Sequence, residues 1–167
     1  SGFTTNPSLV KKAGVVNYRE FCKKALAISG DKPISFEVFA DDFHEMERQA
    51  REIASWGKNI YVKIPVTNTL GQSSGPLIEA LGMKGIKVNV TAITTLKQIA
   101  DVIDSLWPET SSIISIFAGR IADTGRDPEP FVSYAASIKP EKTFVLWASP
   151  REVLNVKQAE RSGADII

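Results

Sequence analysis

The sequence predicts an α/β fold, and within that class a (βα)8 TIM barrel. Three observations carry this. Short β-rich runs alternate with amphipathic helical patterns along the whole chain. Successive runs begin about 20 to 30 residues apart, the length of one βα unit. The runs also carry few charges, as parallel strands covered on both faces should. An open doubly wound sheet is the competing layout, but no Gly-x-Gly-x-x-Gly turn follows the first run. In a barrel, function gathers at the carboxyl ends of the strands.

The elements follow in order. Gly2 to Thr5 is the first β-rich run, and Asn6 can cap a helix starting near Pro7-Ser8. Tyr18 to Leu26 reads as a helix that buries Cys22 beside Phe21. Ile34 to Phe39 is the second strand. Phe43 to Ala54 places Phe43, Met46, Ala50, Ile53 and Ala54 on one helical face, with Gly57 as stop signal. Asn59 to Ile64 is the third strand. Ser73 to Leu81 is a helix with Pro76 near its start and Gly82 as its end. Lys87 to Thr91 is followed by a helix over Thr94 to Leu106, with Pro108 beyond. Ile113 to Phe117, a helix over Pro128 to Ile138, Thr143 to Ala148, a helix over Pro150 to Ser162, and Asp165 to Ile167 complete the set. That makes seven strand-like runs against the eight of a complete barrel, and both ends read as cut. No linker or low-complexity segment interrupts residues 1–167, so one domain is expected.

Composition narrows the function classes. The chain has 167 residues and a formal charge of +1, which gives no general pull toward nucleic acid or membrane. No apolar stretch approaches the roughly 20 residues that span a bilayer. Ser1-Gly2-Phe3-Thr4 shows no signal-peptide pattern, and a cytoplasmic location is the expectation. The single histidine, His44, falls on a helix beside Glu45 and reads as a surface residue, so a histidine base or metal site is not expected.

The most informative residue is Lys63, within Asn59-Ile60-Tyr61-Val62-Lys63-Ile64-Pro65. An ammonium group in a buried strand loses solvation unless paired, which favours the neutral amine. A neutral amine adds to carbonyls and forms Schiff bases. The competing reading is a strand-end lysine that snorkels to water. Glu37, in Ile34-Ser35-Phe36-Glu37-Val38-Phe39, is equally costly without a partner. Alternation puts it on the face of Ser35 and Phe39, and one βα unit separates it from Lys63. Asn6, Glu37, Lys63, Asn89, Thr91, Ser115 and Ser149 thus lie within or at the ends of successive strands. Asn6 and Ser149 can equally serve as helix caps. Arg120 follows a strand end, and Arg151 is expected in the first turn of a helix. An arginine at a helix start is an anion site, although surface arginines are the alternative.

These residues resemble those of the transaldolases, in particular the small subgroup that includes the fructose-6-phosphate aldolases. The matching motifs are Thr4-Thr5-Asn6-Pro7-Ser8-Leu9, Glu37, Val62-Lys63-Ile64-Pro65, Val88-Asn89-Val90-Thr91, Ser115 with Gly119-Arg120, Ala148-Ser149 with Arg151, and Gly163-Ala164-Asp165. They cover almost the whole chain in the family's order. The resemblance implies a class I mechanism with no metal and no cofactor. Lys63 would attack the ketone of a keto-sugar phosphate, and the resulting iminium would accept the electrons as the C3–C4 bond breaks. Glu37, through a water held with Thr91, would shuttle protons. Asn6 and Asn89 would hold the dihydroxyacetone fragment, Ser115 and Phe117 would line the site, and Arg120 and Arg151, with Ser149, would hold the distal anion. The pairing of Glu37 with Phe117 is similar to that of transaldolases, whereas the aldolase branch tends to glutamine and tyrosine.

The resemblance also sets what is expected to be absent. The family's first strand, with the aspartate that handles the proton at the cleaved bond, and its last helix are expected to lie outside residues 1–167. The resemblance implies a homo-oligomer, and in the small transaldolases that last helix helps to build a decamer. Simple aldol cleavage, a sulfosugar-specific transferase and a non-catalytic sugar-phosphate-binding barrel stay open as alternatives, since the two arginines suit a sulfonate about as well as a phosphate.

Overall fold

The computed structural model describes residues 2–167. Six parallel strands lie side by side in chain order, joined by helices. They are β1 (Phe3–Thr4), β2 (Ile34–Glu37), β3 (Ile60–Pro65), β4 (Val88–Ile93), β5 (Ser112–Ile116) and β6 (Thr143–Trp147). The helices are α1 (Pro7–Lys12) and α2 (Tyr18–Ser29) after β1, α3 (Phe43–Ala54) after β2, α4 (Gly75–Met83) after β3 and α5 (Leu96–Ser105) after β4. A short α6 (Ala118–Ala122) and α7 (Glu129–Ile138) follow β5, and α8 (Leu154–Arg161) follows β6. The run at 165–167 joins the sheet by a single parallel bridge from Ile166 to Leu146. On the N-terminal side of this bridge the Asp165 carboxylate, rather than backbone, accepts the Val145 N–H at 2.7 Å.

The sheet curls. Gly2 and Phe3 at one edge and Ile166 and Ile167 at the other line one hollow of about 780 Å³, with Tyr61 and Ile113 between them. This is the curled sheet of a (βα)8 barrel in which the strands from β1 to Ile166 are in place. Among the described residues no helix is long and apolar enough to cross a membrane.

Strand alternation sorts the side chains. Phe36, Val62, Ile64, Val90, Ile114, Ile116, Val145 and Trp147 point outward to the helices and form the main core with Met46, Ala50, Ile78, Leu81, Ile99 and Val132. Each such side chain contributes roughly 1.5–3 kcal/mol on burial. The inner face holds a small apolar cluster of Tyr61, Ile113 and Leu146. Above it, toward the carboxyl ends, the inner positions are polar. Cys22 is buried and His44 exposed, as expected.

Three local expectations need correction. Gly82 is inside α4 rather than at its end. A Cβ there would sit 2.6 Å from the Cβ of Trp107, so this glycine serves close packing, not termination. The helix expected from Pro150 begins only at Leu154. The side-chain oxygen of Asn155 accepts from the Arg151 N–H at 2.6 Å and the Glu152 N–H at 3.2 Å, holding those residues in a turn before the helix. Phe39 lies beyond the end of β2, where alternation stops, and its ring packs against Tyr18 at 4.5 Å. Arg120 follows the end of β5, as expected, and sits within α6, an element too short to show helical periodicity in the sequence.

Candidate functional site

Lys63 occupies the middle of β3 and is 9 % exposed. Its register partner on β2 is Glu37, and on β4 it is Asn89. In-register parallel neighbours point to the same face, so three polar side chains meet across three strands. The Lys63 ammonium donates to Glu37 Oε2 at 2.9 Å and to the Thr5 carbonyl at 3.0 Å. The pairing supplies what a buried cation needs, and it sets a carboxylate within proton-transfer distance of the amine.

Asn89 is fully buried, and its amide is held at both ends. Its oxygen accepts from the Ser115 hydroxyl at 2.7 Å, and its nitrogen donates to Ser35 Oγ at 3.1 Å. A polar ribbon therefore runs from Ser35 on β2 through Asn89 on β4 to Ser115 on β5. Thr91, two residues on, is 2 % exposed, and its hydroxyl is a buried group with no hydrogen-bond partner among the described residues. The β4 register shifts just beyond it, with Ala92 at φ 63°. Such bulges re-aim a strand next to functional sites.

The remaining candidates lie at the ends of the strands. Asn6 follows Thr5 directly, and its side-chain oxygen caps α1 by accepting the Leu9 N–H at 3.1 Å. Phe117 closes β5 and leads into α6. Arg120 and Arg151, from different βα turns, meet on one carboxylate: Asp123 Oδ2 is 2.8 Å from Arg151 Nη2 and 3.7 Å from Arg120 Nη1. The Arg151 hydrogen bond, aided by the charge of Arg120, holds the Asp123 carboxyl below its ordinary range. Because Asn155 takes the Arg151 N–H, an anion here would meet guanidinium groups rather than the free amides of a helix start. Ser149 adopts φ 60°, the left-handed region, and makes no cap for α8. It lies against Gly119, where an added Cβ would stand 1.8 Å from the Ser149 carbonyl oxygen.

The structure thus brings Lys63, Glu37, Asn89, Ser115 and Thr91 together, and Arg120 with Arg151 separately. It also adds residues that were not singled out in the sequence. Ser35 had a signal, since alternation placed it on the Glu37 face. Asp123 had a weaker one, three residues after Arg120. The Thr5 carbonyl and Tyr18 had none.

The fold and this layout define a parallel βα barrel with its polar residues gathered at the carboxyl ends of the strands, the arrangement of barrel enzymes. The family profile described as Transaldolase/Fructose-6-phosphate aldolase matches residues 1–167. The chain is 35% identical to a probable transaldolase of Dehalococcoides mccartyi, over 99% of this chain and 74% of the relative. It is 36% identical to one of Thermoanaerobacter sp. and 35% to one of Methanococcus maripaludis, with the same coverage. The chain belongs to the transaldolase/fructose-6-phosphate aldolase family.

Proposed function

We propose that the protein transfers a dihydroxyacetone unit from a keto-sugar phosphate to an aldose phosphate through a Schiff base on Lys63. The observation that carries this reading is a lysine buried in mid-strand, with a carboxylate 2.9 Å from its nitrogen. Lys63 passes a proton to Glu37 and its amine adds to the C2 carbonyl. Glu37 then returns a proton to the departing hydroxyl, and water leaves. The iminium nitrogen takes the electron pair of the C3–C4 bond as the C4 hydroxyl passes its proton to the aspartate that the family carries on its first strand, and the aldehyde departs. The resulting enamine adds to the acceptor aldehyde, and hydrolysis of the new iminium frees Lys63.

The other residues act on binding. The buried Thr91 hydroxyl can hold a water with Glu37 for the proton relay. Asn89, Ser115 and Asn6 offer neutral donors and acceptors to sugar hydroxyls. Phe117 offers the enamine no proton donor, which favours transfer over hydrolysis. Arg120 and Arg151, with Ser149, receive the distal phosphate or a sulfonate of the same charge pattern.

The test is chemical trapping. Borohydride added with a keto-sugar phosphate should leave a stable mass adduct, and peptide mapping should place it on Lys63. An adduct on another residue, or none, rejects the mechanism. Replacing Arg151 by alanine should raise KM for a phosphorylated ketose by roughly ten- to a hundredfold, the worth of one charge-assisted contact. An equal rise for dihydroxyacetone, which carries no phosphate, would show that Arg151 serves the fold instead.

A further inference from the structure

We infer that Tyr18 is a positioning residue for Lys63: its hydroxyl accepts the hydrogen bond of the Glu37 N–H and thereby leaves the Thr5 carbonyl to the Lys63 amine. This deepens the reading of Lys63 as nucleophile and rests on it.

The β1–β2 ladder shows why such a residue is needed. Phe3 N–H donates to the Pro33 carbonyl at 2.8 Å, and Thr5 N–H to the Ser35 carbonyl at 3.0 Å. A parallel ladder continued by one rung would have the Thr5 carbonyl accept from the Glu37 N–H. That rung is replaced. The Glu37 N–H lies 3.2 Å from the Tyr18 oxygen, and the Thr5 carbonyl accepts from Lys63 Nζ at 3.0 Å. No backbone group is orphaned by the exchange, as burial requires.

Tyr18 is built to hold this place. It opens α2, just after the Asn17 cap. Its ring meets Phe39 edge-on at 4.5 Å and lies 6.2 Å from Phe21. Its hydroxyl is therefore tied to the residue whose carboxylate holds the Lys63 nitrogen. Burial pushes its pKa well above the ordinary phenol value, so it braces the site as a neutral group and adds no charge beside the ion pair.

Without the hydroxyl, the Glu37 N–H would take the nearest ladder acceptor, the Thr5 carbonyl. Lys63 would then be held by Glu37 alone, with its terminal torsions free. The experiment is Tyr18→Phe, which keeps the ring and its aromatic contacts, compared with Phe21→Leu, which disturbs the packing and spares the hydroxyl. With a saturating keto-sugar phosphate and borohydride, Tyr18→Phe should form the Lys63 adduct about ten- to a hundredfold more slowly. KM for the phosphorylated substrate should stay unchanged. Phe21→Leu should lower the melting temperature while leaving the trapping rate near wild type. Trapping by Tyr18→Phe at the wild-type rate overturns the inference, and so does slowing in both variants in proportion to lost stability. A crystal structure of Tyr18→Phe reads the rung itself, whether or not Lys63 proves to be the nucleophile. The Thr5 carbonyl is expected on the Glu37 N–H, and finding it still on Lys63 overturns the inference.

Discussion

Replacing Lys63 by methionine is expected to lower kcat/KM for transfer by on the order of 10⁴-fold or more, the scale of loss when a covalent nucleophile is removed. Methionine fills a similar volume but cannot form an iminium, so the C3–C4 electrons have no sink. The substitution also leaves Glu37 without its cation, with its side chain 21% exposed. The stability cost should be roughly 1–3 kcal/mol, less than for a fully buried pair, because that exposure lets water reach the carboxylate. Lys63→Arg separates the two effects. A guanidinium can keep the pairing with Glu37, so most of the stability should return, but it is no nucleophile and activity should not. Steady-state kinetics and thermal denaturation on both variants decide the matter. Activity within tenfold of wild type in either one would remove Lys63 from the chemistry.

Gly119→Ala is expected to have the next largest effect, and through geometry rather than chemistry. A Cβ at this position would lie 1.8 Å from the carbonyl oxygen of Ser149 and 2.9 Å from its carbonyl carbon. These are backbone atoms, so no side-chain rotation relieves the overlap, and the turn between β6 and α8 must shift. That turn already holds Ser149 at φ 60°, a conformation that costs a non-glycine residue about 1 kcal/mol or more. Overpacking of this kind should lower stability by roughly 1–3 kcal/mol. It should also part Arg151 from Arg120, since one is carried by each of the two turns. KM for a phosphorylated ketose should then rise tenfold or more, while borohydride trapping of dihydroxyacetone on Lys63 stays near wild type. Equal losses for both substrates would mean that the clash spreads to the Lys63 end of the site.

Much of this was legible in the chain. Period-2 alternation in buried runs put Ser35 with Glu37 and Asn89 with Thr91, and the even spacing of βα units made the strands of Glu37 and Lys63 neighbours. Those inferences need only the geometry of a pleated strand and short right-handed connections. Where the sequence misled, a local signal had a non-local cause. Gly82 looked like a helix stop because glycine often ends helices, yet Trp107 on a different segment requires its missing side chain. Pro150 looked like a helix start, yet the Asn155 side chain claims the first amide groups and delays α8.

The sequence by itself determined the barrel class, the order of the strands and the inward-facing polar set, because periodicity and register act over a few residues. Only the tertiary structure decided how that set is wired. Lys63 reaches a carbonyl 58 residues away at Thr5, Arg151 finds Asp123 28 residues away, and Tyr18 meets the Glu37 N–H across 19. Each of these bonds depends on where strands end and how turns pack, and a one-rung change in a ladder redirects a carbonyl without changing any local pattern.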